Sequence, residues 1–326
     1  MPNIDRTVRR ANLFAATTVF LIATLNVGAQ QTERSPTNTA VHSSAAKSRS
    51  LPIFYEPALV AKGFPSPLAK AQINGHEALF IVDSGASVNT LADWYAKVAE
   101  IRTTAGSKAT GSSGKTTAVR MAHQLQGQWS DGQRFTLKEA IVVAFPSLFE
   151  ALHIGGLVSP QLLAPRGTVA VLDLKIPSLR FAPFARAVPE LPISQSITVP
   201  QQVCRNPDSQ FVNRVYLAPV TTAGVTDRVL IDTGATKTIF SAESNIAHAI
   251  QITSELGPRS EGVGGDVEGR RIVRNVQLLR GGKTVVLNPS IGEVSAPCDA
   301  KGLLGMDALR SCLLILGDSE IGFSCD

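Results

Sequence analysis

From Leu51 onward the chain is written in short apolar, β-branched runs broken by Gly, Pro, Ser and Asn. That punctuation predicts a mostly β protein, because each run is too short for a helix and ends on turn residues. Helical windows are few, and the two clearest, "LADWYAKVAE" (91–100) and "SAESNIAHAI" (241–250), are short. Ahead of the strands, residues 30–50 are polar and rich in Ser and Thr, with no apolar period. They read as a polar, disordered leader.

The apolar pattern repeats. "ALFIVDSGASVNT" (78–90) and "VLIDTGATKT" (229–238) each run from buried-type residues into an acid, a hydroxyl residue, Gly and Ala. In each half a helical window follows the acid, then a glycine-rich segment suited to a hairpin, then a Gly-Leu-apolar element, "HIGGLVSPQLL" (153–163) or "AKGLLGMDALR" (300–310). An apolar strand-like run closes each half. A period of roughly 150 residues indicates a duplicated lobe, since solenoid units are far shorter. The prolines of residues 188–200 mark the join, giving lobes at 51–190 and 191–326.

The first 29 residues stand apart. Arg6, Arg9 and Arg10 precede an apolar stretch (13–25) that ends in Val27, Gly28 and Ala29, the layout of a cleaved secretory signal. The stretch is short for a membrane span and carries Thr17, Thr18 and Thr24, so a signal peptide at 1–29 is preferred to an anchor, with no stable anchor after its removal. A periplasmic or secreted protein is expected. The formal charge of +5 is diffuse. Lys and Arg form no stripe interleaved with aromatics, which argues against nucleic acid as a partner.

Cys204, Cys298, Cys312 and Cys325 all fall in the second half. In an exported chain an even count suggests two disulfides, and the absence of a close pair or a neighbouring His disfavours a metal site. Of three connectivities, Cys298 with Cys312 and Cys204 with Cys325 is preferred, the latter tying the ends of the second lobe.

One Asp-Thr-Gly is weak evidence, because turns use these residues. Two copies followed by the same order of elements are not explained by turn chemistry. With "LLG" (303–305), the chain resembles the aspartic peptidases of the pepsin and retropepsin superfamily, the bacterial retropepsin-like type in particular. The resemblance implies duplicated acid-protease β-barrel lobes with a cleft between them, a polypeptide substrate, and hairpins that close over it. The matching flap candidates lie around Gly111 and Gly114 and around Gly262, Gly264 and Gly265. Ser159 stands where the second half has Gly305, and neither flap candidate contains Tyr.

The chemistry follows from the residues as well. If the halves pack about a pseudo-twofold axis, Asp83 and Asp232 meet, and two like charges so close cannot both ionise cheaply. One carboxylate then serves as general base on water while its protonated partner polarises the carbonyl, with no metal, cofactor or covalent nucleophile. Ser84 and Thr233 have the size to bond backbone across the loops, and Gly85 and Gly234 allow close approach. Both acids sit in one chain, so a monomer suffices.

Other chemistries fit less well. "ATGSSGKTT" (109–117) has Ala109 where a phosphate-binding loop needs glycine. No Gly-x-Ser-x-Gly occurs, and "GGDVEG" (264–269) lacks the spacing of a calcium loop. The remaining alternative is a catalytically inactive exported peptide-binding or scaffold protein of the same fold. It gives no reason to keep two mutually repelling acids.

Overall fold

The computed structural model describes residues 49–110, 116–187, 197–199, 203–204, 215–250, 255–256, 260–262, 265–267, 270–317 and 321–326. The expected signal peptide, nearly all of the leader, most of the join, and Gly111, Gly114 and Gly264 lie outside the described residues.

The protein is mostly β, as its punctuation predicts. The first lobe begins with strands Leu68–Ile73 and His76–Val82, joined by Asn74 and Gly75 at φ 52° and 82°. A type I′ hairpin turn needs two positive φ values, which Asn and Gly supply at least cost. The second lobe repeats the hairpin with Val215–Thr222 and Val225–Ile231, where Ala223 and Gly224 take the same conformation.

Seven strands make the first-lobe sheet, in the order Leu68–Ile73, His76–Val82, Ile154–Val158, Asn89–Ala92, Arg134–Val143, Thr116–Trp129, Thr104–Thr110. Pairing of Leu68–Ile73 with Thr116–Trp129 closes six of them into a barrel. The second lobe is built on a ten-stranded sheet that stays open, so it forms a half-barrel. A third sheet takes strands from both halves: Arg49–Pro52, Ser178–Ala182, Val169–Asp173, Cys312–Leu316, Ile321–Cys325 and Ile197–Val199. Its central pairing, Val169–Asp173 with Cys312–Leu316, binds one half to the other through backbone hydrogen bonds.

The short helices Asp93–Val98 and Asn245–Ile250 occupy the two helical windows. The first seats Tyr95 in the barrel core, where its ring meets Phe80 edge-on and its hydroxyl donates to His76 O and accepts from Ile73 N–H. The second is started by Asp227, whose carboxylate accepts from Ile246 N–H and Asn245 Nδ2. No described helix is long and apolar enough to cross a membrane.

The disulfide pairing differs from expectation. Cys312 is bonded to Cys325, not to Cys298, and Cys204 is therefore not the partner of Cys325. The reason is register: Cys312 and Cys325 face each other on adjacent antiparallel strands with Cα atoms 4.0 Å apart. Their backbones bond outward, Cys325 N–H to Gly281 O and Cys312 O from Leu174 N–H, which is the side-chain-close type of pair. Cys298 is also disulfide-bonded.

Candidate active site

Each acid is delivered by the same construction. His76–Val82 runs parallel to Ile154–Val158, and Val225–Ile231 runs parallel to Gly302–Leu304. The ladder continues one residue beyond each strand: Asp83 N–H donates to Val158 O (2.9 Å) and Asp232 N–H to Leu304 O (3.1 Å). The apolar residues before the acids thus fix the backbone of the acids themselves. Both carboxyls are fully buried.

The two loops interlock. Ser84 N–H donates to Thr233 Oγ1 (3.0 Å), and Thr233 N–H donates to Ser84 Oγ (3.1 Å). Each hydroxyl also donates across, Ser84 Oγ to Ile231 O (2.9 Å) and Thr233 Oγ1 to Val82 O (2.6 Å). Four bonds therefore run between the loops in a twofold pattern. Loss of either hydroxyl leaves a buried N–H and a buried C=O without partners, at about 1–3 kcal/mol for each group.

The glycines set the approach. A Cβ on Gly85 would stand 2.5 Å from Asp232 Cγ, and one on Gly234 would stand 2.5 Å from Asp83 Cγ. Real Cβ atoms do not come so close, so each glycine makes room for the other loop's acid. One oxygen of each acid is tied to its own loop. Asp83 Oδ1 accepts from Gly85 N–H (2.8 Å) and Ala86 N–H (3.1 Å), while Asp232 Oδ1 accepts from Ala235 N–H (2.8 Å). The other oxygen, Oδ2 on both, has no protein N–H or hydroxyl donor, and the two carboxyls interact with each other.

Burial pushes Asp83 up to about 6, against its bond with Asp232 and the N–H groups of Gly85, Ala86 and Gly234. Burial also pushes Asp232 well above the usual carboxylate range, and the charge of Asp83 pushes it further. Two loop N–H groups close to Asp83 Oδ1 and one to Asp232 Oδ1 give the same ranking, since donors favour the charged form.

Four further residues hold these loops, and composition and motif reading overlooked them. Asn89 Oδ1 accepts from Ser159 N–H (3.0 Å), and Gln161 Nε2 donates to Ser84 O (3.2 Å) and Ala86 O (3.1 Å). In the second lobe Thr238 Oγ1 accepts from Gly305 N–H (3.2 Å), and Asp307 Oδ1 accepts from Thr238 N–H (2.8 Å) and Oγ1 (2.7 Å). The internal alignment that pairs Gly156 with Gly302 also pairs Gln161 with Asp307, and that was the available signal. The Ser159 N–H is held by Asn89 much as the Gly305 N–H is held by Thr238. At Gly305 a Cβ would stand 2.5 Å from the Lys237 carbonyl carbon.

Of the flap candidates, Gly262 and Gly265 pair across a two-stranded hairpin, Ser260–Gly262 with Gly265–Val267. The strands Thr104–Thr110 and Thr116–Trp129 flank Gly111 and Gly114. Among the described residues no group of three or more His, Cys, Asp or Glu is placed to hold a metal ion.

A comparison with curated proteins finds no match. The family model described as aspartyl protease matches residues 69–191 and 218–308, one stretch in each half, and each stretch contains one of the interlocked acids. On that match, which spans more than half of the sequence, the chain belongs to the aspartyl protease family.

Proposed function

We propose that the protein is an exported aspartic endopeptidase in which Asp83 and Asp232 activate a water molecule against a peptide carbonyl. The observation that carries this reading is the pair of buried carboxyls, one per lobe, each with one oxygen bonded to its own loop and one without a protein N–H or hydroxyl donor. A structural aspartate is ordinarily satisfied at both oxygens, as Asp227 is by Asn245 and Ile246. Placing two such acids together raises the cost of ionising both, so the pair holds one proton over a wide pH range.

In the singly protonated pair the charge belongs on Asp83 and the proton on Asp232, because Asp83 has more donors. Asp83 then removes a proton from water as it attacks the scissile carbonyl, and Asp232 donates its proton to the carbonyl oxygen. The resulting gem-diol collapses as the nitrogen is protonated, which returns the pair to one shared proton. The interlocked hydroxyls and glycines supply the rigidity that this geometry needs.

The lobes divide at about residue 190, and both acids come from one chain, so a monomer is sufficient. The arginine-led apolar segment at the N-terminus and the Cys312–Cys325 disulfide support a periplasmic or secreted location. The substrate is a polypeptide in extended form. Incubation of the protein with a diverse peptide library from pH 3 to 8, with and without a statine-type inhibitor, tests the reading. Internal cuts suppressed by the inhibitor support it. Tight peptide binding without any cut would replace it with the inactive-binder reading.

A further inference from the structure

The supports behind the two acids occupy equivalent places and use different chemistry. Behind Asp83, the Gln161 side chain donates to two carbonyls of the acid loop itself, Ser84 O and Ala86 O. Behind Asp232, the Asp307 side chain receives both the N–H and the hydroxyl of Thr238 at the far end of the acid loop. The residue before Asp307 closes upon the same loop. Met306 N–H donates to Ala235 O (2.8 Å), and Ala235 N–H in turn donates to Asp232 Oδ1. Asp307 Oδ2 is buried without a hydrogen-bond partner.

We infer that Asp307 is a positioning residue for Asp232 whose carboxyl makes the second acid loop responsive to pH, while Gln161 keeps the first loop indifferent to it. The inference rests on the peptidase reading for its kinetic consequence, and on the loop geometry alone for its physical one. Burying a carboxylate whose Oδ2 has no donor is costly, and the two Thr238 bonds at Oδ1 offset only part of that cost. Burial accordingly pushes Asp307 above the usual carboxylate range, against the Thr238 bonds and the charge of Lys237. Among the described residues, Lys237 is the charged side chain that acts on it. Lys237 comes from the acid loop, and the strand Lys283–Leu287, packed against the Asp307 helix, carries Lys283. Arg280 bonds Ala308 O on the same short helix. As pH rises through the Asp307 pKa, a charge appears in a place with no donor for Oδ2, and the turn that holds Asp232 loosens. A glutamine has no such transition.

The discriminating experiment compares Asp307→Asn, Asp307→Leu and Gln161→Glu with the wild type, in kinetics and in amide NMR of the loop. Asp307→Asn keeps the acceptor for Thr238 and removes the titration. Its kcat at the acidic end of the profile is expected to stay within about twofold of wild type, and its activity relative to wild type to rise about threefold or more by pH 7. Asp307→Leu removes the acceptor and is expected to lower kcat about tenfold or more with KM little changed. Gln161→Glu should introduce a matching loss on the alkaline side. In the NMR arm, the Thr238 amide of the wild type, bonded directly to Asp307, titrates above the ordinary carboxylate range, and Asp307→Asn loses that step while Ala86 is unaffected. Superposable pH profiles and superposable amide titrations for wild type and Asp307→Asn overturn the inference. A wild type with no peptidase activity whose loop amides still titrate through Asp307 would overturn the peptidase reading and leave this one standing.

Discussion

Behind Asp83 an asparagine and a glutamine hold the loop through amide groups; behind Asp232 a threonine and an aspartate hold it through a hydroxyl and a carboxyl. At the tips of the same loops the two lobes are interchangeable: Ser84 mirrors Thr233 bond for bond, and Gly85 mirrors Gly234 in the space it leaves. The difference shows which constraints are shared. Two acids that must meet across an axis fix the chemistry at the contact, because any change there moves both carboxyls. One turn further back the only demand is that a backbone be held, and several side chains can meet it.

The comparison can be broken at its strongest point first. Gly85→Ala and Gly234→Ala should each lower kcat/KM by about 100-fold or more, because a methyl group displaces the opposing carboxyl, and a shift of about an ångström is that costly. Steady-state kinetics on a cleaved peptide checks this. Near-normal activity in one variant and loss in the other would end the claim of equivalence. Next in size, Ser84→Ala and Thr233→Val should each destabilise the protein by about 2 kcal/mol in urea unfolding and by similar amounts, since each strips one N–H and one C=O. At the roots, equality should fail. Thr238→Ala is expected to cost more than Asn89→Ala, because Thr238 links Gly305 to Asp307 whereas Asn89 supports Ser159 alone, with a difference of about 1 kcal/mol.

The smallest effect is on pH dependence of stability. Both acids have folded-state pKa values raised by burial, so the folded protein binds protons that the unfolded chain releases. Their contribution is therefore favourable at acidic pH and is lost as pH rises from the ordinary carboxylate range through about 6, where Asp83 lies. The unfolding midpoint of the wild type should climb by about 2–4 °C between pH 7 and pH 5 relative to Asp83→Asn, followed by circular dichroism.

Much of this was legible in the sequence. The repeated apolar-acid-hydroxyl-Gly pattern gave both acids, both interlocking hydroxyls and both close-approach glycines, because each of those positions has a narrow chemical requirement. The strand-rich fold followed from turn residues, as in the Asn74–Gly75 hairpin. What stayed hidden depends on register and tertiary contact. Cys312 meets Cys325 because two strands pair with those residues opposite, and no spacing rule contains that information. Gln161 and Asp307 look like ordinary helix-start polar residues until the loops they touch are known. The closed barrel of the first lobe, likewise, depends on the continuous strand Thr116–Trp129 pairing with both Leu68–Ile73 and Arg134–Val143, whereas in the second lobe Arg271–Ile272 and Val276–Arg280 are separate strands with separate partners.

The most direct test of the shared-proton account is the pH dependence of kcat/KM for the wild type beside Asp83→Asn and Asp232→Asn, each verified as folded. The account predicts a bell-shaped wild-type profile set by the pair as a unit, and loss of cleavage by a factor of about 1000 or more in both variants. Substantial cleavage by either variant, with a profile like that of the wild type, would contradict it.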